Sequence, residues 1–189
     1  MAEASLAARA SPLLDEVRAV LAAMPERALD PLAEAIAAAR RIALYGQGRT
    51  GLVMQALAMR LYHLGRDAHF VGAMNAPPLG ERDLFLVNAA LGNLPTGLAL
   101  MDSARKAGAR VALITAVPDS PAGRAADLVL HLPAQTMADD LAPVARSIMP
   151  MGSQYELALM VLFEILVLQL SQRLDVPFAA MRARHANLL

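Results

Sequence analysis

The chain has 189 residues, enough for one well-buried core and near the upper end of the ~100–200 residues of a typical domain. Lys+Arg and Asp+Glu each total 17, so no excess charge draws it toward nucleic-acid phosphates or an anionic membrane surface. The absence of cysteine excludes disulfides, thiolate metal sites and cysteine nucleophiles, leaving carboxylate, imidazole, guanidinium and hydroxyl groups for any chemistry.

Apolar residues make up 57% of the sequence, above the roughly 45–50% of ordinary domains, which predicts burial of apolar surface by another subunit. The N-terminus carries Glu3, Asp15 and Glu16 among alanines and has no basic region followed by an apolar block, so a cytoplasmic address is expected. Residues 1–40 lack glycine and space Leu13, Val17, Val20 and Leu21 along one helical face; two helices are predicted, broken near Met24-Pro25. Arg41–Tyr45 reads as a strand entering the glycine turn 46–51, and a helix follows through Leu52, Leu57, Leu61 and His63. Ala68–Val71 and Asp83–Val87 are the next strands, the first leading to a Pro77-Pro78 loop and the second to a turn at Gly92.

A helix over about 96–107 stops at Gly108, and Arg110–Thr115 is the fourth strand. A short helix within 118–125, a fifth strand at Asp127–Leu132, a polar loop to Gly152, a long helix over 153–174 and a short one from Pro177 complete the order. The apolar stretch Leu157–Leu170, interrupted by Glu164 and Gln169, falls short of the ~18 residues of a membrane span and is expected inside protein. Strands apolar on both faces, alternating with helices, imply a single α/β domain over 1–189: a three-layer αβα sandwich around a parallel sheet, preceded by a helical lead at 1–40.

Ligands of such sheets bind beyond the carboxyl ends of the strands, where the winding reverses. The turn Gly46-Gln47-Gly48-Arg49-Thr50-Gly51 leaves amides free at a helix start, which favours an anion; tight packing alone accounts for the glycines equally well. No acidic residue follows the second strand to hold a ribose, so dinucleotide binding is disfavoured. Arg49 adds a planar fork suited to an oxyanion, and Thr50 is either a ligand contact or a cap. Glu156, at the start of the most apolar helix, is either a first-turn acid or a general base desolvated by the cleft. Glu164 is expected to pair across an interface. His63, His69, His131 and His185 share no metal-binding spacing, so no metal site is predicted.

Four segments taken together resemble the 6-phospho-3-hexuloisomerases of the sugar isomerase (SIS) family: Gly46–Gly51; Ala58-Met59-Arg60-Leu61-Tyr62-His63-Leu64-Gly65; Met149-Pro150-Met151-Gly152 with Tyr155-Glu156; and Arg184-His185-Ala186-Asn187-Leu188-Leu189. The resemblance implies a five-stranded sheet of flavodoxin-like order and a homotetramer (or dimer) with active sites at subunit boundaries. It also implies cofactor-free conversion of a 3-keto hexulose 6-phosphate into fructose 6-phosphate through an enediol. By the same resemblance Glu156 matches the catalytic base, and His185 matches a histidine that reaches a neighbouring site.

The chain departs from the family after the third strand, where a Ser-Gly-Ser-Gly stretch and a threonine would cradle phosphate; here Ala89-Ala90-Leu91-Gly92-Asn93-Leu94-Pro95-Thr96 stands. Each hydrogen bond lost to a charged phosphate forfeits ~1.5–3 kcal/mol. Gly72–Pro77 is likewise more apolar than the family's Glu- and Thr-rich segment. Asn88, Asn93 and Thr96 remain as polar candidates, each equally readable as a turn former or cap. Three functions are therefore carried forward: an isomerase of a keto sugar or sugar phosphate, a non-catalytic sugar-binding or regulatory protein of the same fold, and a structural partner-binding protein.

Overall fold

In the computed structural model, which describes residues 5–141 and 147–187, α1 (Leu6–Ala22) and α2 (Asp30–Ala38) precede β1 (Ile42–Tyr45). There follow α3 (Gly48–His63), β2 (Ala68–Phe70), β3 (Leu84–Asn88), α4 (Pro95–Lys106), β4 (Arg110–Thr115), α5 (Pro121–Ala125), β5 (Leu128–His131), α6 (Ser153–Arg173) and α7 (Phe178–Ala183). Every expected element is present, with ends displaced by a few residues at most. The terminal Leu188-Leu189 of the C-terminal motif lies outside the described residues.

The five strands pair in parallel in the order β2-β1-β3-β4-β5. Alternate residues of each strand face opposite sides of the sheet, and both sets are apolar. Ile42, Leu44, Leu84, Leu86 and Ile114 pack into the larger core with α1, α2, α3 and α6; Ala43, Phe85, Val87, Val111 and Leu113 pack into the smaller one with α4 and α5. The result is the three-layer sandwich, with its winding reversed between β1 and β3.

The helical lead also fixes the loop before α6. Glu16 accepts hydrogen bonds from Ser147 Oγ, the Ile148 amide and Gln154 Nε2 at 2.5, 2.8 and 3.0 Å. Burial opposes the Glu16 charge, but these hydrogen bonds prevail and hold its carboxyl below the usual range. α6 is long and apolar enough by composition to cross a membrane, yet one face is packed against the sheet and the neighbouring helices. Within this chain the expectation that it is hidden inside protein holds for that face alone: Leu157, Met160, Val161, Ile165 and Leu168 are exposed on its other face.

Candidate functional site

A cavity of about 390 Å³ opens at the carboxyl end of the sheet. It is walled by the turn after β1, the loop after β3, Thr136 and Met137 beyond β5, and the start of α6. That volume lies in the ordinary small-molecule range of about 300–1,000 Å³.

The first wall depends on close backbone approach. A Cβ on Gly51 would lie 2.6 Å from Gly46 O, so neither turn nor helix could keep its place with a larger residue. That contact brings the first turn of α3 to the cavity, where Gln47, Gly48, Arg49 and Thr50 line it. Thr50 Oγ1 is already committed, donating to Gln47 O at 2.7 Å.

The opposite wall begins with two successive left-handed residues, Met151 (φ 56°) and Gly152 (φ 73°). A Cβ on Gly152 would come within 2.9 Å of the Met137 amide nitrogen, so glycine lets the β5–α6 connection fold back on itself. Tyr155 and Glu156 then enter the cavity from the first turn of α6.

Arg49 and Glu156 are the two charged side chains among the described residues lining the cavity. Arg49 Nη1 lies 2.8 Å from Glu156 Oε2 and also donates to Ser153 Oγ at 3.0 Å. The first contact is an ion pair by distance but not an aligned hydrogen bond, since Glu156 Oε2 is buried without a hydrogen-bond partner. The carboxylate side chain is 13% exposed and the guanidinium 62%, so solvent weakens the pairing from the Arg49 side. Burial consequently raises the Glu156 pKa, and the Arg49 charge offsets this only in part. A carboxyl with a raised pKa that lines a cavity can exchange a proton with a bound molecule.

Beneath the cavity, Asn88 Nδ2 donates to Tyr155 Oη at 2.9 Å, tying the end of β3 to the first turn of α6. Burial pushes the Tyr155 hydroxyl well above its usual range despite this hydrogen bond, so the phenol stays neutral.

Of the residues selected from the sequence, Gly48, Arg49, Thr50 and Glu156 line this cavity together. The others do not. Gly46 is buried against Met54 and Gly51, and its role is packing. Asn88 is fully buried and bonded to Tyr155, while Asn93, on the β3–α4 connection, and Thr96, in the first turn of α4, are exposed without lining the cavity. The Gly72–Pro77 segment lies away from it as well; Gly72, Ala76 and Pro77 line a separate pocket beside Arg41 and His69. His185 stands at the far end of α3, its ring stacked on His63 with centroids 5.5 Å apart. Gly48 and His63 are the two ends of α3, about 22 Å apart at 1.5 Å per residue. Glu164 is paired, but within its own chain, to Arg60 at 3.5 Å.

Sequence reasoning missed Tyr155, whose position next to Glu156 was the available signal, and Met137, which only the folding back of the β5–α6 connection onto Gly152 reveals. Ala90, Leu91 and Leu94, noted as departures, form an apolar wall of the cavity.

Known proteins share both sequence and architecture. The chain is 32% identical over 176 residues to the 3-hexulose-6-phosphate isomerase of Bacillus subtilis (strain 168), covering 93% of this chain and 95% of that protein. It is 34% identical over 174 residues to the enzyme of that name from Mycobacterium gastri, covering 92% and 86%. A Methanococcus jannaschii protein, whose crystal structure was taken to infer 3-hexulose-6-phosphate isomerase function, superposes with a TM-score of 0.81 at 23% identity, covering 96% and 99%. The sequence pattern of the SIS domain matches residues 35–161, which hold the whole sheet, the glycine turn and the first turn of α6. With the sheet order, the cavity at its carboxyl end and these relatives in agreement, the chain belongs to the SIS domain family.

Proposed function

We propose that the protein is a sugar isomerase of the SIS type, acting on a keto sugar phosphate of the hexulose 6-phosphate kind, with Glu156 as its base. The observation that carries this reading is the Glu156 carboxyl: 13% exposed, raised in pKa, and lining a small-molecule cavity beside Arg49. The names of the curated relatives support the same reaction class.

Moving a carbonyl one carbon along requires removal of a proton from the adjacent hydroxyl-bearing carbon, giving an enediol. The proton returns to the former carbonyl carbon while the hydroxyl proton passes between the two oxygens. Glu156 is the carrier of the carbon-bound proton. Arg49, beside it, balances the negative charge that develops on oxygen.

His185 joins this chemistry from a neighbouring copy. Two observations support that arrangement: its separation from Glu156 along α3, and the exposed apolar side chains Leu52, Met59 and Tyr62 beside those of α6. A homotetramer or dimer built on that surface accounts for the high apolar content.

The test is exchange in D2O. The wild-type protein should incorporate deuterium at C3 of fructose 6-phosphate, read by NMR, and Glu156→Gln should slow this by about 10²–10⁴-fold. Unchanged exchange in Glu156→Gln would remove the base assignment. The apolar wall of Ala90, Leu91 and Leu94 favours a second reading, a sugar-binding protein without turnover. Saturable binding of sugars or sugar phosphates with no exchange in any of them would establish it.

A further inference from the structure

The first turn of α6 carries Glu156 but supplies no cap of its own. Its N-cap is the left-handed Gly152, which has no side chain to offer, and Ser153, Gln154 and Tyr155 hold the turn instead through contacts with other parts of the molecule. Ser153 Oγ accepts from Arg49 Nη1 at 3.0 Å. Gln154 Nε2 donates to Glu16 Oε2 at 3.0 Å, and its Oε1 accepts from the Gln135 amide at 2.7 Å. Tyr155 Oη accepts from Asn88 Nδ2 at 2.9 Å.

These ties differ in stiffness. The Arg49 side chain is largely exposed, and Glu16 belongs to the helical lead, ahead of the segment that matches the SIS domain. Asn88 instead ends β3, the middle strand, which is paired with β1 on one side and β4 on the other. Asn88 is 0% exposed and Tyr155 1%. Packing alone does not account for the pair: Asn88 Oδ1 is buried with no hydrogen-bond partner among the described residues, an unpaired acceptor that leucine and phenylalanine at these positions would avoid. Successive helical residues point about 100° apart, so a Tyr155 ring fixed against the sheet sets the direction in which Glu156 leaves the helix.

We propose that Asn88 and Tyr155 are positioning residues that fix the Glu156 carboxyl against the middle strand of the sheet. Their role rests on Glu156 being the base of the isomerase reaction. A hydrogen bond specifies both distance and direction, whereas apolar contact specifies neither. Without it the first turn of α6 can shift or rotate slightly while staying packed, and catalysis is sensitive to that: a misplacement of about 1 Å costs on the order of 10²-fold. The Tyr155 hydroxyl acts through Glu156 and not on the sugar, so its loss falls on kcat and leaves KM in place.

The experiment measures kcat and KM for deuterium incorporation at C3 of fructose 6-phosphate by the full chain in D2O, with melting temperatures taken at one protein concentration. Tyr155→Phe should lower kcat about 10–10²-fold with KM within about twofold of wild type, and should melt lower because Asn88 Nδ2 loses its partner. Adding Asn88→Leu replaces both partners by apolar groups of similar shape, so the double variant should regain the melting temperature but not kcat. Recovery of kcat together with stability would make the pair purely structural and overturn the proposal. A wild-type kcat in Tyr155→Phe would overturn it too, as would a raised KM at unchanged kcat, which would make the hydroxyl a substrate contact. Glu156→Gln in the same assay separates the two failures. Unchanged exchange there removes the base and the positioning role together, whereas exchange lost there but kept in Tyr155→Phe removes the positioning role alone.

Discussion

At Glu156 the physical demands of folding and of chemistry oppose each other. The first turn of α6 and the nearby Arg49 both favour a carboxylate, but burial raises the pKa. A folded pKa above the unfolded one means that the folded state binds more protons between the two values, so stability falls as pH rises through that interval. Glu156→Gln removes the penalty. The variant should therefore melt higher than the wild type at neutral pH, and the difference should vanish below the ordinary carboxylate range, where both states of the wild type are protonated. Turnover should show the complement: the ionised form is the base, so kcat should fall on the acid side with a midpoint above that of an ordinary glutamate. A wild type more stable than Glu156→Gln at neutral pH would contradict the burial argument. The role of a carboxylate at the start of an apolar helix was legible in the sequence as two alternatives. Its desolvation was not, because that depends on Leu94 from the β3–α4 loop and Met137 and Met151 from the β5–α6 connection lining one cleft.

Among the elements, the β1–α3 turn and α6 differ in how far their sequences speak for them. Gly46 and Gly51 mark a strand-to-helix turn, but the structure separates their roles: this pair packs, while Gly48 lines the cavity. Gly48 has φ 56° and open space where a Cβ would project, so alanine there meets only the ~1–2 kcal/mol cost of the left-handed conformation. Gly51→Ala forces backbone atoms apart and should cost ~1–3 kcal/mol or more, while also displacing Arg49. Urea unfolding of the two variants should rank Gly51→Ala as the more damaging, with a larger loss of activity; equal effects would show that the turn relaxes freely. α6 is a different case. It is apolar around most of its circumference, so periodicity cannot say which face is buried. Contacts with α1, α2 and α3 make that choice.

At the scale of the whole molecule, the surface left by that choice is the largest unanswered feature of the isolated chain. Leu52, Met59 and Tyr62 of α3 and Leu157, Ile165 and Leu168 of α6 are each more than two-fifths exposed, from 42% to 63%. Side chains of this size arrayed on adjacent helices mark an interaction surface. Sedimentation should find the wild type as a dimer or tetramer, and the double change Ile165→Glu and Leu168→Glu should shift it to a smaller species with reduced turnover. A monomeric wild type would end the shared-site reading for His185. The sequence by itself determined the order of elements, the parallel sheet, the absence of thiol chemistry and the carboxylate and guanidinium of the cleft, because periodicity, glycine turns and residue type are local properties. Tertiary structure alone decided that Arg49 faces Glu156, that Asn88 serves Tyr155 rather than a ligand, and that His185 stacks on His63 a helix length away. Those are meetings between residues about 70 to 120 positions apart in the chain, and no local pattern encodes them; they follow from how the packed layers bring strand ends and helix starts together.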